Sequence, residues 1–420
     1  MQPFSKLIHS ALLLVLLFSF SSHSKAQSDI HVDRNGSAAP DGTADKPYQL
    51  VKAGACRARP NGTVVIRPGV YNETFTLDYP VRLKASGPAV IGQMAGKPNT
   101  KLKVVTYNTH LFGDEGAGLF PQFADRARAA YIADRLRLED ADVIGLQEVW
   151  DEELADAIVQ RAGYPHHYYN NAHDEADDFL NSGLLLLSKS PLVNASLTFY
   201  RDEVSISDCD FFDPLCPIKN PTKPWECFNI FNCKSYLDGF ASKGFLQATV
   251  FKNGFQIGIF ITHTQAEHHK DGVNARRKQL EQLGSQIRKY ISENPAAEVI
   301  LMGDFNVIAG SEDYNNSLLP QTGLRDMYPN LAPCPDTSQD QATCDFNRND
   351  LARLFGNTEF DCNNQRLDYV LYSHGKAFDV LPVKLEVRRY QAETREGHKT
   401  MLDLSDHFGI AAELSLWRNN

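Results

Sequence analysis

From Lys101 onward, apolar runs of strand length alternate with stretches of helical period. LKVVTYN, DVIGLQE, SGLLLLS, FQIGIFITHT, EVILMGDFN, LDYVLYS and GIAAEL are almost continuously apolar and end in polar residues, the pattern of strands buried on both faces. Between them Leu280, Leu283, Ile287 and Ile291 recur at helical spacing after Asn274, and Tyr131, Ala133 and Leu136 do so earlier. This strand and helix repetition predicts an α/β fold with sheets covered by helices. Residues 31–92 differ: NGTVVIRPGVYNETFTL and YPVRLKAS are short β-branched runs punctuated by Asn61-Gly62 and Pro68-Gly69, which predict strands and turns alone. The pattern divides the chain into a small β-rich module, 27–100, and one large domain, 101–420.

Ahead of both, the apolar run Ala11 to Phe20 follows Lys6 and precedes the small residues around Ser24-Lys25-Ala26. A membrane anchor needs roughly 18 apolar residues, so residues 1–26 read as a secretory signal peptide. The expectation is a secreted protein, extracellular or periplasmic, with no transmembrane segment. Export changes how the eight cysteines read, because an even number outside the cytosol implies disulfides. Cys209, Cys216, Cys227 and Cys233 alternate with Pro214, Pro217, Pro221 and Pro224, which predicts a stapled surface insertion near 205–240. No C-x-x-C pair supports a zinc knuckle there. Cys334, Cys344 and Cys362 form a second group and Cys56 stands alone in the module; spacing leaves the connectivity open, with Cys362 the first candidate partner for Cys56.

Composition is ordinary for a globular protein: 420 residues, 42% apolar and 22% charged, which excludes collagenous, disordered and coiled-coil chains. Charge is more informative. Residues 27–100 carry nine basic against six acidic side chains, whereas residues 101–420 carry 31 against 46. A protein that grips a nucleic-acid backbone shows a basic stripe, so this balance argues against a stable nucleic-acid complex. A bound divalent cation would reverse the potential locally.

The polar ends of the predicted strands form an ordered set. Asn108 follows KVVTY, Glu148 follows VIGLQ, His263 follows IFIT, Asp304 and Asn306 follow VILMG, Asp368 precedes YVLYS, and Asp406-His407 precedes FGIAAEL. Each alone has an ordinary explanation, such as a helix cap, a strand-exit turn or a core histidine; the joint occurrence is far more specific.

The segments TYNTHLF, GLQEVW, SGLLLLSKSPL, FITHTQA, GDFN, RLDYVLYS and LSDHFGI resemble the endonuclease/exonuclease/phosphatase superfamily, metal-dependent phosphoesterases related to deoxyribonuclease, over roughly residues 101–418. Within it, Asn181-Ser182-Gly183, Lys243-Gly244-Phe245 and the run Thr262 to Glu267 resemble the secreted sphingomyelinase C branch. Inositol polyphosphate 5-phosphatases fit less well, since RLDY stands where their PAWCDR-type segment belongs. The resemblance implies a four-layered α/β sandwich with two packed β-sheets. It also implies a monomeric phosphodiesterase that hydrolyses sphingomyelin or a related choline phospholipid at a membrane surface, releasing the phosphorylated head group. A secreted endonuclease is the alternative. Residues 31–92 resemble the opening coils of secreted parallel β-helix proteins of the pectate-lyase type. A solenoid needs about three repeats, so this short piece is expected to lean on the large domain as a support.

Phosphodiester chemistry accounts for the residue types. The substrate is an anion, attacked by water only when a divalent cation neutralises an oxygen and stabilises the leaving group. Glu148, Asn108 and Asp406 are the expected metal ligands, an oxygen set suited to Mg²⁺, with Mn²⁺, Co²⁺ or Ca²⁺ as alternatives. His407 is the expected base, with Asp368 holding its other nitrogen. Asp304 and Asn306, two apart on an extended segment and so on one side, are expected to orient the water and hold a phosphate oxygen. His263 would donate to another phosphate oxygen, and the resemblance adds Asn181 and Lys243 as substrate-binding residues. One departure stands out: the aromatic hairpin expected between the LDY and SDH segments is replaced by charged residues. Phe211, Phe212, Trp225, Phe228 and Phe231 in the insertion could replace it or simply pack that loop.

Overall fold

The structure, a computed structural model, describes residues 29–418 except 59, 74, 78, 93–98, 114–123, 173–179, 202–240, 267–269, 332–340, 355–361 and 394–400. The expected signal peptide, the cysteine-rich insertion with its aromatics, Glu267 and Cys334 lie outside the described residues.

The first strands are β1 (Ile30–Val32), β2 (Thr63–Ile66), β3 (Gly69–Tyr71), β4 (Arg82–Ala85) and β5 (Ala89–Ile91). Next come β6 (Asn99–Leu111), β7 (Val143–Val149), β8 (His166–Tyr169), β9 (Leu185–Ser188), β10 (Val193–Phe199), β11 (Gly244–Lys252) and β12 (Phe255–His263). The rest are β13 (Ala297–Asp304), β14 (Arg325–Asp326), β15 (Asp368–Tyr372), β16 (Phe378–Arg388), β17 (Gln391–Glu393), β18 (Met401–Asp403) and β19 (Gly409–Arg418). The longer helices are α1 (Val51–Arg57), α2 (Asp125–Glu139), α3 (Glu152–Ala162) and α4 (Lys270–Glu293).

Two six-stranded sheets, ordered β16-β19-β6-β7-β9-β8 and β10-β11-β12-β13-β15-β14, face each other. Their inner faces meet in one apolar cluster, in which Leu102, Val104, Val143 and Leu186 oppose Leu246, Ile259, Ile261, Ile300 and Met302. The approach is close at Gly145, where a Cβ would lie 2.5 Å from the Ile261 side chain, so a larger residue would push the sheets apart. Ile132, Leu136, Leu154 and Ile158 of α2 and α3 cover the outer face of the first sheet. Leu280, Leu283 and Ile287 of α4 cover that of the second. The result is the expected four-layered sandwich, and every apolar run named from Lys101 onward contributes a strand. The helix expected after Asn274 begins earlier, at Lys270.

The small module pairs β1, β2 and β4 in parallel, and β3 with β5 in parallel, as the winding of a short parallel coil requires. It also contains a helix where strands and turns alone were expected. The Glu73 carboxylate accepts from the Val51 and Lys52 amides at 2.7 and 2.9 Å and so caps α1 from 22 residues downstream. No local pattern announces such a cap. The module rests on the large domain: Leu331 and Leu381 join its core, and Arg34 pairs with Asp379 at 2.5 Å. Cys344 and Cys362 form a disulfide, which corrects the expected Cys56–Cys362 bridge. Cys56 is itself disulfide-bonded. Among the described residues no helix is long and apolar enough to cross a membrane.

Candidate active site

Strand register assembles the site. In the second sheet His263 of β12 sits opposite Asp304 of β13, and Asp304 sits opposite Asp368 of β15. In the first sheet Asn108 of β6 pairs with Gln147, which places it beside Glu148. The sheets bring these two groups together: the Asn108 amide donates to Glu148 Oε1 at 2.7 Å and to Asp304 Oδ2 at 3.0 Å. The loop before β19 supplies Asp406 and His407, and Ser405 fixes it by donating to the Asn108 carbonyl at 2.7 Å.

Within this cluster His407 Nδ1 lies 2.9 Å from Asp368 Oδ2, and His407 Nε2 lies 3.6 Å from Asp304 Oδ2. His263 Nε2 stands 3.7 Å from Glu148 and 3.8 Å from Asp304. Lys243, fully buried, reaches a ring nitrogen of His263 at 3.2 Å and lies over the Trp150 ring. Asp151, rather than Glu148, caps α3, so the Glu148 carboxylate is left to the cluster.

The electrostatics follow from crowding. Burial, with the Asp368 charge adding to it, pushes Asp304 up to about 7. Burial would also raise Glu148, but His110, His263 and Lys243 outweigh it and hold that carboxyl well below its usual range. Burial opposes charge on His407, yet Asp368 and Asp304 raise its pKa well above the ordinary value. Asp368 Oδ1, wholly buried, has no hydrogen-bond partner among the described residues. Glu148, His263 and Asp304 can converge on one ion, as can Asp304, Asp368 and His407. An orphaned buried carboxylate oxygen within a set of oxygen and imidazole donors fits a divalent cation.

The structure gathers Asn108, Glu148, His263, Asp304, Asp368, Asp406 and His407 as the strand ends implied, and brings Lys243 in behind His263. Two residues differ from expectation. Asn306 is not on an extended segment: β13 ends at Asp304, and Asn306 adopts φ +50° with its amide donating to Thr264 O at 3.0 Å. Asn181 is fully buried and spends its amide on Trp150 O, Tyr169 and Asn171 while accepting from Gly183 N, so it shapes the turn beneath Trp150. His110 was missed. Its Nδ1 lies 3.3 Å from Glu148 Oε2 and 3.5 Å from Asp406 Oδ2. The strand-end logic that selected Asn108 would have reached it two residues on. Also missed was Arg128, whose guanidinium binds the carbonyls of Thr109, His110 and Leu404 while pairing with Asp125 at 2.6 Å. It ties the Asn108 loop to the loop carrying Asp406 and His407.

The chain is 23% identical over 358 residues to a sphingomyelinase C of Bacillus cereus, covering 79% of this chain and 93% of that protein. It is 23% identical over 228 residues to a phospholipase C of Staphylococcus aureus, covering 53% of this chain and 62% of that relative's length. Solved structures of similar fold include beta toxin from Staphylococcus aureus, with TM-score 0.54, 19% identity, and 74% of this chain and 99% of that one covered. Another is sphingomyelinase C from Streptomyces griseocarneus, with TM-score 0.52, 22% identity, and 76% and 100% covered. Residues 105–407 match the Endonuclease/Exonuclease/phosphatase family, and with the strand-end cluster and the two-sheet sandwich this span holds, the chain belongs to that family.

Proposed function

We propose that this chain is a secreted, divalent-metal-dependent phosphodiesterase that hydrolyses sphingomyelin or a related choline phospholipid, releasing the phosphorylated head group. One observation carries the proposal: a buried Asp368–His407 pair stands against a cluster of buried carboxylates, in which burial and the Asp368 charge push Asp304 up to about 7. Glu148, Asn108 and Asp406 would hold the ion, with Mg²⁺ the expected choice and Mn²⁺, Co²⁺ or Ca²⁺ as alternatives. A cation there neutralises a phosphate oxygen and the charge that builds on the leaving group.

The protein's own groups do the rest. Asp368 keeps the proton on His407 Nδ1, so Nε2 is the atom that takes the proton from the attacking water. Asp368 and Asp304 raise the pKa of His407 and so favour its charged form. Asp304 orients the water. His263, backed by Lys243, donates to the phosphate as its charge grows.

The lipid substrate is supported by the relatives named sphingomyelinase C, by the KGF and HTQA segments, and by the acidic charge of the catalytic region. The partner is a phospholipid at a membrane surface, and the enzyme works as a monomer without a stable nucleic-acid complex. Purified protein should release phosphocholine from sphingomyelin dispersions, and a chelator should stop it. DNA degradation without phosphocholine release would overturn this reading in favour of the nuclease.

A further inference from the structure

We propose that Thr343 is a positioning residue for the Asp368–His407 pair, holding in register two strand ends that lie in different sheets. The inference rests on the reading of His407 as the base and adds the residue that aims it.

Three observations converge. First, β15 belongs to the second sheet and β19 to the first, so neither sheet's ladder sets Asp368 against His407. Their 2.9 Å contact therefore needs a tie from elsewhere in the chain.

Second, one residue reaches both strand ends. The Thr343 hydroxyl, wholly buried, accepts from the Leu367 and Asp368 amides at 3.0 and 3.1 Å. The Thr343 carbonyl accepts at 2.7 Å from the amide of Phe408, the residue after His407. The two lone pairs of the hydroxyl thus fix the backbone that carries Asp368, and the carbonyl fixes the backbone that carries His407. Proton transfer requires hydrogen-bond reach, and a misplacement of about 1 Å can cost about 100-fold in rate.

Third, the segment around Thr343 is itself held. Thr343 and Cys344 donate their amides to the Gln365 carbonyl at 2.9 and 3.0 Å, and the Gln365 amide donates back to the Cys344 carbonyl at 2.9 Å. Cys344 also forms an antiparallel β-bridge with His407 and a disulfide with Cys362. Further along the same segment, the buried Asn349 side chain donates to the Ser405 carbonyl at 2.8 Å. The loop bearing His407 is therefore pinned on both sides, at Ser405 and at Phe408, by one disulfide-anchored strap.

The test compares Thr343→Val, which keeps the shape and removes the acceptor, with Thr343→Ser, which keeps the hydroxyl. ¹⁵N-histidine NMR of the full chain, with His407 assigned by its loss in His407→Ala, reads the imidazole without substrate. Thr343→Val should shift the His407 ring nitrogens. It should also lower kcat for phosphocholine release from sphingomyelin dispersions by about 10-fold or more, with KM within about 2-fold. Thr343→Ser should restore both readings. Should Thr343→Val fail to fold, Thr343→Ala, which leaves room for water to reach the two amides, is read in the same way. Wild-type ring shifts in whichever of these two variants folds would overturn the inference, whatever the activity. So would a loss of kcat that Thr343→Ser fails to restore. A wild type that releases no phosphocholine, while removal of the hydroxyl still shifts the ring, would overturn the proposed substrate and leave Thr343 as the residue that sets the pair.

Discussion

The same two strands, β13 and β15, end in buried polar clusters of opposite character. At one end Glu298 of β13 accepts from the amides of Lys376 and Ala377, both at 2.7 Å, and from the Ser373 hydroxyl. Beside it Tyr372 of β15 donates to Gln49, Gln49 meets His374 at 3.0 Å, and Arg34 neutralises Asp379, so the small module is sealed on by matched donors and acceptors. At the other end Asp304 and Asp368 face each other, with Glu148 and Asp406 nearby. A buried carboxylate surrounded by N–H groups stabilises a fold, whereas one surrounded by carboxylates costs stability until a cation arrives. The hydrogen-bonded acid and the crowded acids are thus separated by the length of a strand.

The sharpest way to break this contrast is to remove the catalytic end. Glu148→Ala and His407→Ala should each lower phosphodiesterase turnover by about 10²-fold or more, with circular dichroism unchanged. Near-normal activity in folded His407→Ala would remove it as the base.

The two ends should also respond to acid in opposite directions. Burial, followed by the Arg325 charge, pushes His374 down to about 4, from an ordinary value of 6.5. Its contribution is therefore complete above pH 6.5 and lost as pH falls toward 4, a swing on the order of 3 kcal/mol. Urea unfolding at pH 7 and 4.5 should show a smaller acid loss in His374→Gln than in the wild type; equal losses would clear His374 of the effect. Asp304 runs the other way, because its raised pKa makes ionisation costly as pH climbs from about 4 to 7. Asp304→Asn should therefore stabilise the metal-free protein by about 1–3 kcal/mol while abolishing activity.

The smallest effect belongs to the module end. Glu298→Gln keeps the shape but exchanges a multiple acceptor for an amide, and should cost about 1–2 kcal/mol in thermal unfolding while leaving turnover per folded molecule unchanged. A matching loss of turnover would mean that the two ends are coupled.

Much of the clustering was legible because its residues terminate apolar runs, and strand pairing then sets His263, Asp304 and Asp368 side by side. What escaped depends on contacts remote in sequence. His110 matters only because Arg128, on α2, turns its backbone. The α1 helix depends on the distant Glu73 carboxylate. Asn306 departs from the extended chain through its bond to Thr264. Glu298 stood at the start of a strand pattern, where nothing distinguished a surface acid from the buried anchor it is.

The position of β19 carries a consequence for timing. It lies between β16 and β6, with Ile410 opposite Thr106, and the loop before it brings His407 to ligands set by β6 and β7. During synthesis Asn108 and Glu148 are therefore made long before His407, and pairing across so long a stretch of chain is slow. A nascent chain that stops short of this loop holds only part of the cluster. Closure of the first sheet by β19 is therefore what completes the cluster.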